Sequence, residues 1–270
     1  MSVIDNIKNR VSTRTYQAKP IEEEKKQILI DLVDELNQTC DQFRFELAFE
    51  NDNNVELGTY GFIAGAKNYL IAMAKFDGNC KEKSFKFGQL FESFILTAQG
   101  LGLGTCWMAG TYDRKQVAEL VTIHDDEFVV VVSPLGYKDE MRLKEKAMRT
   151  AIQANKRKKF ETIVKNLDGT NLDEENSEIL CSLTMLRLSP SAKNVQPWRV
   201  FKEGDYYHFY SIDSKEFEIG GFNLTHNDVG IGFYHFTESL KHYKVDFEIV
   251  DAMPKEIEKL IYMKSVKINR

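Results

Sequence analysis

Apolar residues recur at helical spacing in two long segments of this chain, which predicts two amphipathic helices. In the first segment that face consists of Phe87, Leu90, Phe91, Phe94, Ile95, Ala98 and Leu101. In the second it consists of Val229, Gly232, Phe233, Phe236 and Leu240. The local order also agrees, since FGQLF from residue 87 matches VGIGF from residue 229. Because self-similarity at long range is typical of duplicated units, the pattern indicates an internal repeat.

The same periodicity, read along the whole chain, predicts alternating helices and strands. Helices are expected near residues 3–9, 22–37, 87–101, 114–122, 173–187, 226–241 and 254–260. Strands are expected near residues 44–50, 69–74, 128–133, 198–201, 206–212 and 246–250, where β-branched and aromatic residues lie between Gly, Asp and Asn. Strands interspersed with helices favour an α+β or an α/β fold.

Weaker similarities between other segments support two degenerate copies, at 1–150 and 158–270. The helix predicted from Glu22 is echoed by the one from Asp173, and the QFRF sequence at Gln42 falls where QPWR falls at Gln196. Between the copies, residues 138–159 are polar and mostly basic, and we expect a solvated helix there. A basic nucleic-acid tail is the alternative, which the net charge of −5 disfavours.

Composition narrows the class of protein. The chain has 270 residues, of which 43% are hydrophobic and 29% charged, as in globular proteins with a proper core. Its four cysteines are scattered and form no CxxC pair, so zinc sites have no support and free thiols fit a cytoplasmic location. The first residues lack a signal-peptide pattern, and no apolar run of about 18 residues predicts a membrane span.

The most distinctive motif is a polar loop that reads SPSAKNVQPW from Ser189 to Trp198. Ser189 and Pro190 are typical of a helix N-cap and first helical position. Gln196 precedes a proline and is therefore expected to be extended. The resulting rigid loop can direct hydrogen bonds at a planar ligand rich in heteroatoms. The alternative is a capped turn next to a core tryptophan.

Three other motifs accompany this loop. Arg10 to Tyr16 reads RVSTRTY, Gly102 to Gly110 reads GLGTCWMAG, and Pro134 to Tyr137 reads PLGY. Together the four motifs resemble those of the nitroreductase family, whose members are FMN-dependent NAD(P)H oxidoreductases. The resemblance selects the α+β class, with central, mainly antiparallel sheets flanked by helices and two degenerate copies in one chain.

The resemblance also implies roles for individual residues. Those matching the family's phosphate motif are Arg10, Ser12 and Arg14, which lie two apart and so share one side of an extended segment. Those matching contacts to the isoalloxazine and ribityl chain are Pro190, Ser191, Ala192, Asn194 and Gln196. Ala109 and Gly110 correspond to the backbone near flavin N5, and Ala109 stands where many relatives have Glu. Arg142 or Lys144 would supply a basic residue, and Thr59 or Tyr60 a further flavin contact.

The order of the motifs is unusual, because relatives place the Ser-Pro-Ser loop soon after the phosphate motif. Relatives are typically homodimers in which the two motifs come from different subunits. Here the first copy keeps the arginines and the second keeps the loop, so neither copy holds a full set. We therefore expect a monomeric, fused pseudo-dimer that binds one FMN per chain.

The expected activity is a ping-pong reduction of a nitroaromatic, quinone or similar small-molecule acceptor by NADH or NADPH. The flavin would carry the chemistry, so no catalytic side chain and no metal is expected. The histidines at 124, 208, 226, 235 and 242 are interpreted as surface or satisfied core residues. The alternatives are a flavin-binding protein without turnover and a nucleic-acid contact module using the basic linker.

Overall fold

The computed structural model describes residues 1–50, 57–75, 80–172, 175–212, 214, 218–219 and 222–269. Helices over these residues are α1 Val3–Asn9, α2 Glu23–Thr39, α3 Cys80–Gly100, α4 Arg114–Leu120, α5 Leu143–Ala151, α6 Phe160–Ile163, α7 Ser177–Arg187 and α8 Leu224–His242, with a 3₁₀ turn at Ala192–Asn194. Strands are β1 Phe43–Ala48, β2 Asn68–Lys75, β3 Gly104–Thr105, β4 Glu127–Gly136, β5 Val164–Asn166, β6 Trp198–Glu203, β7 Tyr206–Ile212, β8 Glu218–Ile219, β9 Phe222–Asn223, β10 Phe247–Val250 and β11 Leu260–Ile268. The predicted α+β class, with antiparallel sheets flanked by helices, is confirmed.

The chain divides into two compact units. The arginine unit comprises residues 9–78 and 93–152, and the loop unit comprises residues 1–8, 79–92 and 153–270. Compared with the halves expected at 1–150 and 158–270, two segments of the first half, 1–8 and 79–92, group with the second.

The arginine unit is built on a sheet with strand order β1-β2-β4-β3, in which all neighbours are antiparallel. Strand β2 is buried on both faces except at Lys75, and the run Val129–Val132 in β4 is also buried. A core of Tyr69, Ile71, Val117 and Val132 forms around these strands. Both central strands therefore read as continuous apolar runs, not as alternating ones.

The loop unit contains a second sheet, with strand order β10-β11-β7-β6-β5. Its pairs are antiparallel apart from β5 on β6, which is parallel. Trp198, Phe209, Phe233 and Phe236 form the centre of its core, and the ring centroids of Phe209 and Phe233 lie 4.9 Å apart. Aromatic residues at the helical spacing of α8 thus pack on the sheet.

The two copies repeat one order of elements, although the long helix of the first copy is divided between the two units. In each, a helix leads into an antiparallel pair, a long helix follows, and a later strand pairs antiparallel with the second strand of the pair. The helices are α2 and α7, the pairs are β1-β2 and β6-β7, the long helices are α3 and α8, and the later strands are β4 and β11. The repeat seen in the sequence thus has a counterpart in the topology.

Helices α3 and α8 approach each other within the loop unit at two glycines. A Cβ added to Gly88 would lie 2.1 Å from the carbonyl oxygen of Asn227, and one added to Gly230 would lie 2.1 Å from that of Phe85. In each helix the contacted carbonyl belongs to the residue three positions before the glycine. This reciprocity is the pattern that a two-fold axis produces.

Several expectations differ from the structure in their ends, and one is wrong. The helix expected at 254–260 is absent: residues 251–257 have no regular structure, and a turn at Glu258–Lys259 leads into β11. Antiparallel pairing of β11 with β7 outweighs the short apolar spacing that suggested a helix. The start of the helix expected at 173 lies outside the described residues. The linker contains helix α5, as expected for part of its length.

The cysteines and the apolar character of the helices complete the description of the fold. Cys40, Cys106 and Cys181 are free thiols. Within the described ranges, no helix combines the length and the apolar character needed to cross a membrane.

Candidate functional site

The segment from Arg10 to Tyr16 is held in an extended form by backbone hydrogen bonds inside the arginine unit. The Thr13 amide donates to Thr105 at 2.8 Å, the Tyr16 amide donates to Ala64 at 3.0 Å, and the Ala64 amide donates to Arg14 at 3.0 Å. Ser12 and Thr105 also form a parallel bridge. Neighbouring backbone therefore fixes this segment on both sides.

Side chains of this segment alternate, as they do in any extended chain. Thr13 is buried and lies so close to Gly104 that a Cβ there would be 2.5 Å from the Thr13 hydroxyl oxygen. Thr15 is also buried, and its hydroxyl donates to Glu145 Oε2 at 2.9 Å. Ser12 and Arg14, on the other side, are only half-buried. The two threonines thus anchor the segment and leave Ser12 and Arg14 available.

Arg10, Ser12 and Arg14 all lie near the buried thiol of Cys106. Burial raises the pKa of this thiol, while the positive charges of Arg14 and Arg10 and a hydrogen bond from Ser12 oppose the increase. The sequence-predicted phosphate residues are therefore close together.

Arg14 is well placed to bind an anion. One of its guanidinium nitrogens donates to the Ser12 carbonyl at 3.4 Å, and no carboxylate of the described chain pairs with it. A phosphate group offers the charged oxygens that a guanidinium binds most strongly. The chemistry of these donors fits the phosphate end of a nucleotide such as FMN.

Arg142 joins the same segment through Thr15. Its Nε donates to the Thr15 hydroxyl oxygen at 3.3 Å, and its Nη2 lies 3.5 Å from the Phe62 carbonyl. Since Thr15 also donates to Glu145, a continuous hydrogen-bonded chain runs from Arg142 to Glu145. Of the two basic residues suggested by the sequence, Arg142 contacts the segment, whereas Lys144 donates to the Tyr60 carbonyl at 3.1 Å.

Ala109 and Gly110 form an open bend beside the sheet. Met108, just before them, exchanges two backbone hydrogen bonds with Val132, at 3.0 and 2.9 Å. Ala109 is half-buried, Gly110 is exposed, and a Cβ added to Gly110 would meet nothing within 4 Å. The bend therefore offers accessible backbone on a fixed base, which suits close approach of a flat ligand.

Of the further flavin contacts suggested by the sequence, Thr59 is engaged in a local turn. Its hydroxyl oxygen accepts from the Ile63 amide at 3.0 Å, and the side chain is buried. Tyr60 is 69% exposed and has a positive φ of 52°. Tyr60 is thus the more accessible of the two.

The Ser-Pro-Ser loop lies in the loop unit, and two local expectations about it are wrong. Helix α7 ends at Arg187 and the 3₁₀ turn starts at Ala192, so Ser189 caps no helix. Gln196 has a φ of 52°, not an extended value, although a proline follows it. In both cases hydrogen bonds outside the local sequence hold the backbone: His235 contacts Ser189, and the Ser191 hydroxyl accepts from the Gln196 amide at 2.9 Å.

The two amide side chains of the loop bind backbone in the structure. Asn194 Nδ2 donates to the carbonyls of Gln153 at 2.8 Å and Lys156 at 3.1 Å. Gln196 Oε1 accepts from the Lys158 amide at 2.8 Å, and its Nε2 lies 3.3 Å from Asn194 Oδ1. Both residues therefore tie the loop to the end of the basic linker, and this contact sets the shape of the loop.

The remaining loop residues keep groups available. Pro190, Ser191 and Ala192 are half-buried, and the Ser191 hydroxyl proton is donated to no residue that the structure describes. The Ala192 amide, by contrast, donates to Asp228 Oδ2 at 2.9 Å. Ser191 is thus the loop residue with the clearest capacity for a new hydrogen bond.

Sequence reasoning missed three polar residues beneath the loop. Asp228 and His235 lie on α8 and Glu92 lies on α3, all buried. His235 was interpreted as a surface or satisfied core residue, and its three hydrogen-bond contacts confirm the second possibility. The sequence does contain a signal for two of them. Asp228 and His235 are seven residues apart, so they lie on one face of the predicted apolar helix.

The arginine unit also has an open groove of about 680 Å³. It is lined by Gln17, Lys138, Asp139, Glu140, Met141 and Lys146. Because none of the predicted phosphate residues lines it, this groove is not the candidate site.

Comparison with known proteins connects these features to a family. Residues 2–239 match the profile described as "Putative TM nitroreductase". A nitroreductase structure from Thermotoga maritima MSB8 is 20% identical and aligns over 99% of this chain and 93% of its own, with a TM-score of 0.61.

Two shorter structures align with about half of the chain. A nitroreductase family protein from Clostridium novyi NT is 23% identical over 52% of this chain and 87% of its own, with a TM-score of 0.42. An FMN-dependent nitroreductase from Clostridium difficile R20291 is 20% identical over 52% and 89%, with a TM-score of 0.39. No curated protein matches the chain.

Proposed function

Because this chain belongs to the nitroreductase family described as "Putative TM nitroreductase", we propose that it is an FMN-dependent NAD(P)H oxidoreductase. Membership in that family indicates an oxidoreductase. The proposal adds the cofactor, the reductant and a small acceptor such as a nitroaromatic or a quinone. It also adds a cytoplasmic location, which suits the free thiols of Cys40, Cys106 and Cys181.

The observation that carries the proposal is the cluster of Arg10, Ser12 and Arg14. Three donors meet near Cys106, and Arg14 lacks a carboxylate partner among the described residues. The positive charges of Arg14 and Arg10 both act on the Cys106 thiol, so an anion bound beside it would be attracted by both. A phosphate ester of nearly two negative charges would gain this attraction and accept hydrogen bonds from Arg10, Ser12 and Arg14.

Residues of the Ser-Pro-Ser loop would contact the ring system. Pro190, Ser191 and Ala192 present a half-buried, mostly apolar edge, and the Ser191 hydroxyl would donate to a ring heteroatom. Asn194 and Gln196 would act through the shape they give to the loop, and Ala109 and Gly110 would offer accessible backbone. Arg142 would add positive charge near the phosphate through its contact with Thr15.

We propose further that the chain is a monomeric pseudo-dimer with copies at about 1–150 and 158–270 and one FMN. The shared order of elements supports two copies, as does the reciprocal approach of Gly88 and Gly230. Each copy retains one half of the motif set, so a single complete set exists per chain. Two FMN molecules per chain, measured by flavin absorbance against protein concentration, would contradict this stoichiometry.

FMN, when bound, supplies two-electron transfer from NADH or NADPH to the acceptor in a ping-pong cycle. The described residues would bind the phosphate and orient the ring, and Gly110 would offer exposed backbone to it. With alanine at 109, that position offers backbone and a methyl group but no carboxylate. Binding without turnover is the competing function, and persistence of the oxidised flavin spectrum under anaerobic NADH and NADPH would favour it.

Arg14→Ala tests the phosphate assignment. Apo-protein is titrated with FMN and, separately, with riboflavin, which has the same ring but no phosphate. A charge-assisted hydrogen bond contributes about 1.5–3 kcal/mol, so the Kd for FMN should rise by about 10- to 150-fold. The Kd for riboflavin should stay at the parent value.

Arg114→Ala is the matched control, since Arg114 is an exposed arginine of the same unit. It removes the same charge and should leave both dissociation constants unchanged. An Arg14→Ala variant that binds FMN as tightly as the parent contradicts the phosphate role. Equal loss of FMN and riboflavin binding would also contradict it, because the effect would then not depend on the phosphate.

A further inference from the structure

A buried polar chain runs beneath the Ser-Pro-Ser loop. His235 Nδ1 lies 2.8 Å from the Ser189 hydroxyl oxygen, and His235 Nε2 lies 2.9 Å from Glu92 Oε1. All three residues are 0% exposed. Since no solvent reaches them, these hydrogen bonds replace water entirely, and losing one would leave its partner unsatisfied.

The three groups are joined through both nitrogens of the His235 ring. A serine hydroxyl can donate or accept, so the Ser189 contact is satisfied with either tautomer of the ring. The Met185 carbonyl lies 3.2 Å from Nδ1 as well. The hydroxyl of Ser189 is thereby oriented into the core and away from the outer side of the loop.

A second attachment lies three residues further along the loop. The Ala192 amide donates to Asp228 Oδ2 at 2.9 Å. Burial raises the pKa of Asp228, Glu92 adds to the increase, and the hydrogen bonds from Ala192 and Asn227 oppose it. The carboxyl group is thus retained in the core despite a desolvation cost.

The two attachments enclose Pro190 and Ser191. Both come from α8, where Asp228 and His235 are seven residues, about 10.5 Å, apart on one face. Apolar residues in their place would pack without a desolvation cost, so general stability does not account for them. Their effect is to hold one short piece of backbone at both ends.

We propose that His235 and Asp228 are positioning residues, which fix Ser189 and Ala192 and so orient Pro190 and Ser191 toward the flavin ring. This rests on the proposed function, because it assumes that the loop contacts a flavin. Glu92 acts with them, because its carboxyl group contacts Nε2 of the His235 ring and so fixes the orientation of that ring. None of these residues touches the ligand itself; they act through the loop.

Ser189→Ala tests the first attachment with a minimal change in volume. Riboflavin and FMN are both titrated into apo-protein, and the visible circular dichroism of the bound flavin is recorded. Loss of one buried hydrogen bond should raise both dissociation constants by about tenfold and change the dichroism, since the ring would sit differently. This differs from Arg14→Ala, which should affect FMN alone.

Ser239→Ala is the matched control. Ser239 is also 0% exposed and lies on α8, but its hydroxyl donates to the His235 carbonyl at 2.7 Å and does not contact the loop. It removes the same atom from the same core and should leave flavin affinity and dichroism at parent values. An equal effect of both serine variants would overturn the proposal, because the change would then be one of general stability.

Asp228→Ala and Asp228→Asn test the second attachment. Alanine removes the acceptor of the Ala192 amide and should weaken riboflavin binding. Asparagine keeps an oxygen there and should restore most of the affinity. Failure of Asp228→Asn to bind better than Asp228→Ala would contradict the proposal. If the parent binds neither FMN nor riboflavin, the proposed function itself is wrong, which is a separate result.

Discussion

Helices α3 and α8 share the positions of their contacting glycines and of their C-terminal ends, but they differ in their buried polar residues. The first similarity reflects the repeat, and the second difference distinguishes the two copies. Gly88 and Gly230 differ by 142 in number, and so do Gly100 and His242, the last residues of the two helices. After α3, the Leu103 amide donates to Ala98 at 2.9 Å. After α8, the Val245 amide donates to Leu240 at 3.0 Å, again 142 residues later.

Two of the buried polar residues of α8 have no similar counterparts at the offset of 142. At the offset of 142, buried Asp228 corresponds to exposed Lys86, and buried His235 corresponds to Ser93. The two residues that hold the loop are therefore found in the second copy alone. Backbone approach and C-terminal helix ends are therefore preserved between the copies, whereas the buried polar residues that contact the Ser-Pro-Ser loop are not.

Alanine at either shared glycine should have the largest effect. A methyl group at Gly88 or Gly230 would lie 2.1 Å from a backbone oxygen, which cannot rotate away. We expect each variant to lose about 3 kcal/mol of unfolding free energy, as in severe overpacking, measured by urea denaturation. If the two helices contact each other equivalently at these glycines, the two losses of unfolding free energy should be similar.

Gly232→Ala is the control for these variants. Its Cβ would lie 3.4 Å from Leu186 Cγ, which is close to ordinary contact, and alanine favours the helix. It should therefore be neutral or slightly stabilising. If Gly232→Ala lost as much unfolding free energy as Gly230→Ala, the loss would not depend on the contact between the two helices. The interpretation of Gly88 and Gly230 as contact positions would then be wrong.

The helix ends give a smaller, opposite pair of effects. Gly102 has a φ of 79°, and its counterpart Lys244 has a φ of 57°, a region that favours glycine. Lys244→Gly should stabilise the protein by about 0.5–1 kcal/mol, and Gly102→Ala should destabilise it by about 1 kcal/mol, both measured by thermal unfolding.

Lys241→Gly provides the comparison for Lys244→Gly. Lys241 is exposed within α8, so glycine there should cost about 1 kcal/mol. The sign should thus reverse between two lysines three residues apart. A loss of stability in Lys244→Gly would mean that the two helix ends are not equivalent.

The last expected effect is on the pH dependence of stability at the position where the helices differ. Burial raises the pKa of Asp228 above its value in the unfolded chain, so the folded state binds this proton more tightly. Stability from this group is complete below about pH 4 and is lost as the pH rises toward the folded pKa. Asp228→Asn has no such loss.

The unfolding free energy of Asp228→Asn relative to the parent should therefore increase between about pH 4 and pH 7. Urea unfolding at several pH values measures it. Curves that stay parallel across this range would mean that the pKa of Asp228 is the same in the folded and unfolded chains.

The sequence alone was enough to predict the long helices, six of the strands and the repeat. Apolar spacing located α3 and α8 and their common register, and the alternation of Arg10, Ser12 and Arg14 predicted that these three residues share one side of an extended segment. Such features depend on neighbours within a few residues, for which period and propensity are sufficient evidence. The family motifs likewise identified the Ser-Pro-Ser loop.

Tertiary structure alone decided β11, the backbone of the loop and the polar chain beneath it. Strand β11 forms because β7 is available to pair with it, and Gln196 adopts a positive φ while its amide and side chain bind Ser191 and Lys158. Glu92 and His235 are 143 residues apart. Contacts between such distant positions exist only after the chain has folded, because they depend on which elements pack together and not on local preference.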